Sequence, residues 1–351
     1  MDSAALIKLL VLATIAFIVA MAWTPLLTHI LYKYKLGKQI RDEASAPIFF
    51  KLHAKKSGTP TMGGILIWLT TLVLALVFAY IWLFAPESVL GQLNFLTRPQ
   101  TLLPLGALVA SALVGLVDDY YNVRRIGPKG GGLRMRHRFL IYTGIAIVGA
   151  WWFFVKLGWD TLHVPFMGDF SIGWWYIPIF IFVIVATSFS VNETDGLDGL
   201  AGGALLTSFG AYSVIALLQG RNELAMFCGV IVGALLAFLW FNINPARFFM
   251  GDTGAMALGV TLGIVALLTN TVFFLPIIGF VFVVESGTVI IQTISKKVFH
   301  RKIFRSTPIH HHFEAIGWPE PKVVMRFWVI SMIAAAIGVA LFLLDISGNQ
   351  P

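Results

Sequence analysis

Residues 186–203 read Ala-Thr-Ser-Phe-Ser-Val-Asn-Glu-Thr-Asp-Gly-Leu-Asp-Gly-Leu-Ala-Gly-Gly. The stretch breaks an apolar run: Trp174 to Val185 before it and Ala204 to Leu218 after it are almost wholly hydrophobic. Between them stand Asn192, Glu193, Asp195 and Asp198. Charge at the edge of a hydrocarbon slab is costly, so such residues face a water-filled cavity and carry function. If a helix begins here, Asp195 and Asp198, three apart, share a face. A polar turn with Asp195 as an N-cap is the plainer alternative, but three carboxylates exceed what a cap needs.

The rest of the chain matches a membrane reading. Of 351 residues, 58% are hydrophobic and 12% are charged, a composition of integral membrane proteins. A span needs ~17–25 apolar residues. Ten such stretches are legible, at 5–27, 61–84, 101–117, 139–157, 174–192, 200–218, 224–241, 254–268, 272–294 and 325–344. Ala20-Met21-Ala22 resembles a signal-peptidase site, but the run is long and many spans follow, so it reads as an uncleaved first helix. The single cysteine, Cys228, lies in an apolar run and excludes an intramolecular disulfide framework.

The net charge of +8 does not point to nucleic acid, because the basic residues are sorted. Connections 28–60, 118–138, 242–253 and 295–326 hold 21 of the 25, leaving Lys8, Arg98, Lys156 and Arg221 for the other side. The rich side is cytoplasmic by the positive-inside rule. Ten spans then put both termini outside and the 193–200 segment inside. Residues 158–173 read as a short external β-hairpin turning at Gly168-Asp169, and 127–132 as a flexible cytoplasmic loop. With no repeat, linker or composition shift, residues 1–351 form one domain. The expected fold is all-α and polytopic, with about ten transmembrane helices.

Acidic residues recur at cytoplasmic span ends: Asp118-Asp119, Asp195, Asp198 and Asp252. Clustered carboxylates repel unless a cation joins them, and oxygen-only ligands favour Mg²⁺ or Mn²⁺. Such a cation with carboxylates points to phosphate chemistry. Asp118 and Asp119 cannot both enter one site, since helix neighbours diverge by ~100°. Asp252 lies between Gly251 and Thr253-Gly254 at a helix start, a place that suits a phosphate. Phe249 offers a face for a flat base, or packs in the core. Lys56 suits a phosphate or carboxylate, or a lipid headgroup. Consecutive His310, His311 and His312 cannot all face one metal, so imidazoles near phosphates are preferred to zinc.

These residues carry a family resemblance. The runs are Gly58-Thr59-Pro60-Thr61-Met62-Gly63-Gly64, Asp118-Asp119-Tyr120, Asn192 with Thr194 to Leu200, and Phe238 to Asn242. Phe249 to Asp252, Pro308 with His310 to His312, and Trp318 to Pro321 before Arg326-Phe327-Trp328 complete them. The chain resembles the phospho-N-acetylmuramoyl-pentapeptide transferases, within the polyprenyl-phosphate N-acetylhexosamine-1-phosphate transferase superfamily. The resemblance implies Mg²⁺-dependent transfer of phospho-MurNAc-pentapeptide from its UDP carrier to undecaprenyl phosphate, giving lipid I and UMP. It also implies a bacterial inner-membrane homodimer with a cytoplasmic active site in peptidoglycan biosynthesis.

By matched position, the resemblance makes Asp252 the magnesium ligand and Asp118 the base, with Asp119 beside it. It makes Lys56, Thr61, Asn192, Asp195, Asp198, Asn242 and Phe249 the donor set, Phe249 stacking on uracil. His310, His311 and His312 are donor contacts from the last loop. The family writes Asn-Ala-Val-Asn-Leu-Thr-Asp where this chain has Phe189-Ser190-Val191-Asn192-Glu193-Thr194-Asp195, so Phe189 and Glu193 depart from it. A sister enzyme moving GlcNAc-1-phosphate is the near rival, opposed by the triple histidine. A transporter with an acidic ion site is the distant one, with mid-span Glu285 its one favourable feature; a buried carboxyl bonded to a neighbouring helix is preferred.

Overall fold

The computed structural model describes residues 3–37, 53, 56–98, 100–127 and 131–348. The expected connections at 38–52, 54–55 and 128–130 lie outside the described residues, and Lys38, Arg41, Lys51, Lys55 and Lys129 with them. The long helices are α1 (Ser3–Lys33), α2 (Ile65–Phe84), α3 (Leu102–Val123), α4 (Met135–Trp151), α5 (Tyr176–Thr194), α6 (Leu200–Leu218) and α7 (Asn222–Asn242). They continue as α8 (Asp252–Leu268), α9 (Phe280–Val298), the short α10 (Ile309–Ala315) and α11 (Glu320–Gly348). Among the described residues, eight helices are long and apolar enough to cross a membrane. The chain is a multi-pass membrane protein.

The other two expected spans are α8 and α9, and each falls short for a physical reason. α8 has 17 residues, and all but Asp252 are buried. It is about 25 Å long at 1.5 Å per residue, a little less than the hydrocarbon core. A helix apolar all round belongs inside a bundle, and α8 packs on α3 and α5 at its centre. α9 is built the other way round. Its buried face holds Glu285, Ser286, Thr288, Gln292 and Ser295, while Val283, Ile290, Ile291 and Ile294 are exposed. Polar groups inward and aliphatic groups outward suit a lipid surround. The expected span at 272–294 starts later than read, because Pro276 and Gly279 limit the first part to the four-residue turn Leu275–Ile278.

Close backbone approaches set the frame. A β-carbon on Gly115 of α3 would lie 2.3 Å from the Asp252 carbonyl, and one on Gly64 would lie 2.3 Å from Gly254 Cα. Small residues here let α3 and the start of α2 touch the N-terminal end of α8. Gly63 and Gly64 N–H groups donate to the carbonyls of Phe249 and Met250, at 2.8 Å each.

The hairpin exists but turns elsewhere than expected. Thr161–Val164 pairs antiparallel with Gly168–Ser171, so Pro165, Phe166 and Met167 form the turn and Gly168 opens the second strand. Gly168 (φ +91°) takes the left-handed position after the loop, which a three-residue hairpin needs. His163 and the Phe166 N–H bond to Asp345 near the end of α11, which pins the hairpin to the bundle. The hairpin and the end of α11 therefore share one end of the bundle. Asp118, Arg138, Asn192 and Asp252 share the other.

Candidate functional site

The site forms where α3 ends, α4 begins, α5 ends and α8 begins. Asp118 is fully buried, and its Oδ1 accepts the Leu133 N–H at 2.6 Å. That bond holds Leu133 against the last turns of α3. Its Oδ2 lies 2.8 Å from Arg138 Nη2, and the same nitrogen lies 2.8 Å from Asp252 Oδ2. Arg138 Nη1 reaches Asp252 Oδ1 at 3.4 Å and Asn192 Oδ1 at 3.1 Å. Asn192 Nδ2 donates to Asp252 Oδ1 at 2.5 Å. Four side chains from four helix ends thus form one charge-assisted knot.

Asp119 diverges from Asp118 as helix geometry requires. It accepts from Thr61 Oγ1 at 3.3 Å and from the Thr253 N–H at 3.0 Å. A carboxylate on the second amide of α8 complements the helix dipole. Gly251 (φ +73°) has no room for a side chain there: a β-carbon would lie 2.5 Å from both Asp119 Oδ2 and Thr61 Oγ1.

Asp195 and Asp198 do not share a helix face, contrary to the first option read from their spacing. α5 ends at Thr194 and α6 begins at Leu200, with Gly199 (φ +82°) before it, so a turn carries both carboxylates. Asp195 Oδ2 accepts the Gly251 N–H at 3.2 Å. Asp198 instead meets Lys56 Nζ at 2.6 Å, Asn244 Nδ2 at 2.9 Å and the Ala246 N–H at 3.1 Å. Lys56 also lies 2.5 Å from Glu320 Oε1, and its ammonium stands 5.8 Å from the half-buried Phe249 ring. Asn242 is a brace: its Oδ1 accepts from Gly199 N–H at 2.9 Å and its Nδ2 donates to the Phe248 carbonyl at 2.8 Å.

The three histidines go three ways. His310 is fully buried against Glu285, with Nδ1 2.8 Å from Oε2. His311 Nδ1 lies 2.8 Å from Glu314 Oε2, which His53 Nε2 also meets at 3.1 Å. His312 Nδ1 accepts the Arg305 N–H at 3.1 Å and anchors the preceding loop. Burial, with His310 beside it, pushes the His311 imidazole down to about 3, despite its bond to Glu314. Burial would raise the Glu314 carboxyl, but bonds from His311 and His53 outweigh it and hold it at about 2. At neutral pH Glu314 is therefore ionised and His311 neutral. Ligand atoms of His53, His311 and Glu314 lie within 4.8 Å of one another, a spacing open to a metal. The 2.8 and 3.1 Å contacts are already satisfied as hydrogen bonds to one carboxylate oxygen.

Sequence reasoning missed Arg138, His53, Glu314, Glu320 and Asn244. Arg138 was available as a signal: it directly precedes the apolar run from Phe139, whereas the other basic residues of the 118–138 connection stand further out. The departure at Phe189 now has a partner, for its ring stacks on Phe139 of α4 with centroids 5.5 Å apart.

The fold and site define an intramembrane transferase class, and comparison with known proteins agrees. The Glycosyl transferase family 4 model matches residues 101–270, and phospho-N-acetylmuramoyl-pentapeptide-transferase signature 1 matches residues 56–67. A phospho-N-acetylmuramoyl-pentapeptide-transferase of Chloroflexus aggregans is 39% identical, over 96% of this chain and 90% of its own length. Proteins of the same name from Geobacillus thermodenitrificans (39%, 93% of this chain and 95% of its own) and Bacillus anthracis (40%, 94% and 97%) are similar throughout. The chain belongs to the phospho-N-acetylmuramoyl-pentapeptide-transferase family.

Proposed function

We propose that this protein transfers phospho-MurNAc-pentapeptide from UDP-MurNAc-pentapeptide to undecaprenyl phosphate, releasing UMP and forming lipid I. The observation that carries the reading is the knot of Asp118, Arg138, Asn192 and Asp252 at one end of the helix bundle. There a cytosolic nucleotide and a membrane lipid phosphate meet. A lipid phosphate oxygen attacks the sugar-bearing phosphorus of the donor. A new P–O bond forms, the pyrophosphate P–O bond breaks, and UMP leaves with the electron pair.

The donor set fits a hard divalent cation. Asp118 Oδ2 is buried and, among the described residues, has no hydrogen-bond donor beyond its ion pair with Arg138. Asp252 adds a second carboxylate opposite it. Asp252 would ligate Mg²⁺, with Asp118 nearby, and the ion would offset charge developing on the pyrophosphate. Asp118 takes the lipid phosphate's proton. Arg138 and Asn192 hold Asp252 in orientation. Asp119 and Thr61 fix the start of α8. Phe249 offers its ring to uracil, Lys56, Asp195 and Asp198 line the donor side, and His311 completes it from the last loop, while His310 stands behind the turn and His312 anchors the loop before it. Asn242 acts by holding Gly199.

The carboxylate end faces the bacterial cytoplasm, because Lys33, Arg124, Arg125, Arg134, Arg136 and Arg247 lie there. The chain is one domain in the inner membrane and pairs as a homodimer, as the family resemblance implies. The test is a donor panel with purified protein, undecaprenyl phosphate and Mg²⁺. UMP release from UDP-MurNAc-pentapeptide, little from UDP-GlcNAc and none after chelation is expected. Equal turnover of both donors would move the protein to the GlcNAc-1-phosphate branch.

A further inference from the structure

Glu285 sits mid-helix in α9, fully buried, and the reaction just described makes no use of it. It faces His310, also fully buried, across 2.8 Å from Oε2 to Nδ1. The remaining atoms of the pair, Glu285 Oε1 and His310 Nε2, find no hydrogen-bond partner among the described residues. Leaving buried polar atoms unpaired costs free energy, and a fold that keeps such a pair has a use for it.

The far side of the ring shows where that use lies. A β-carbon added to Gly196 would stand 2.2 Å from His310 Nε2, so the ring edge rests directly on that glycine. Gly196 lies between Asp195, which accepts the Gly251 N–H, and Asp198, which holds Lys56. Contacts therefore run from α9 through His310 to the turn that carries both carboxylates. His311 also stands against the ring, its centroid 4.1 Å from that of His310. The 2.8 Å contact between Glu285 Oε2 and His310 Nδ1 fixes the ring's orientation.

We propose that Glu285 is a positioning residue for the donor site: it holds His310 by Nδ1 so that the ring props the Thr194–Asp198 turn. Glu285 touches no substrate. Its effect reaches the nucleotide through Asp195 and Lys56. This rests on the donor-site reading above.

The experiment is a double-mutant cycle on purified protein, reading KM for each substrate and kcat. Glu285→Leu should raise donor KM by about tenfold, the worth of one buried hydrogen bond, with KM for undecaprenyl phosphate unmoved. Glu285→Gln, whose amide oxygen still accepts from Nδ1, should restore donor KM to within about threefold of wild type. In a His310→Ala background, Glu285→Leu should add less than about twofold, because coupled residues are not additive. Multiplying effects, an equal rise in both KM values, or a Gln variant as impaired as Leu would each overturn the proposal. Should Glu285→Leu not fold, Gly196→Ala tests the other end. It should raise donor KM about tenfold in the wild type and change it little once His310→Ala has removed the clash. Wild-type protein that releases no UMP refutes the proposed reaction, whereas a normal wild type with additive variants refutes only the role of Glu285.

Discussion

Replacing Arg138 by glutamine removes the guanidinium that joins Asp118 to Asp252. Its Nη2 lies 2.8 Å from one oxygen of each, and its side chain is only 17% exposed. At 2.8 Å and an effective dielectric near 20, each contact is a gross attraction of roughly 6 kcal/mol, most of it offset by desolvation. Truncating one member of a buried ion pair costs about 3–5 kcal/mol, because the partner's charge stays behind. Two carboxylates stay behind here, and they repel each other. The metal-free variant should therefore unfold at a clearly lower temperature than the metal-free wild type. A divalent cation can supply the missing charge, so excess Mg²⁺ should recover much of the deficit. Turnover should still fall by about 10²–10³-fold, as when one preorganised charge-stabilising group is lost. Thermal unfolding in detergent, with chelator and with Mg²⁺, reads the first effect, and UMP release the second. A temperature deficit that Mg²⁺ leaves unchanged would refute the idea that cation and arginine serve the same carboxylates.

Three further outcomes are expected. Asp252→Asn and Asp118→Asn should each abolish UMP release while the protein still folds, since an amide keeps the shape without the charge; wild-type turnover in either would remove that residue from the reaction. His163 should make stability pH-dependent. Burial would lower its pKa, but hydrogen bonds to Asp345 and Asp169 outweigh burial and raise it above 6.5. A raised folded value means the contribution is fully present below pH 6.5 and is lost as pH climbs through the folded pKa. The unfolding temperature should fall over that window, and Asp345→Asn should flatten the fall. Finally, Met167→Cys should react with an impermeant thiol reagent on intact cells and His300→Cys should not, against a background of the single, buried Cys228; the reverse would invert the topology and the site with it.

What was legible in the sequence follows from which forces act locally. Spans are read from runs of apolar residues, and each of the ten expected spans overlaps a helix found, α6 matching at both ends. The misreadings came where a residue's partner lies far along the chain. Asp195 and Asp198 look like a helical pair by spacing. Yet Asp198 is held by Lys56, 142 residues away, and by Asn244, 46 away. Gly168-Asp169 has the composition of a turn, but the register is set by which residues face Asp345 and the bundle.

The histidine run shows the same division more sharply. Three identical side chains in a row carry no information about direction, beyond the rule that they cannot converge. The structure separates them by giving each a different neighbour: Glu285 for His310, Glu314 with His53 for His311, and the Arg305 amide for His312. Glu285 could be flagged from sequence as a charge within a span, and its partner could not. Arg138 belongs to the same class. A basic residue at a span end satisfies the positive-inside rule whether it meets a headgroup or two carboxylates at helix ends, and only the crossing of α3, α4 and α8 decides between them. Charge sorting along a membrane protein thus hides any basic residue that turns inward, and this one is found by asking which buried carboxylates still need a counter-charge.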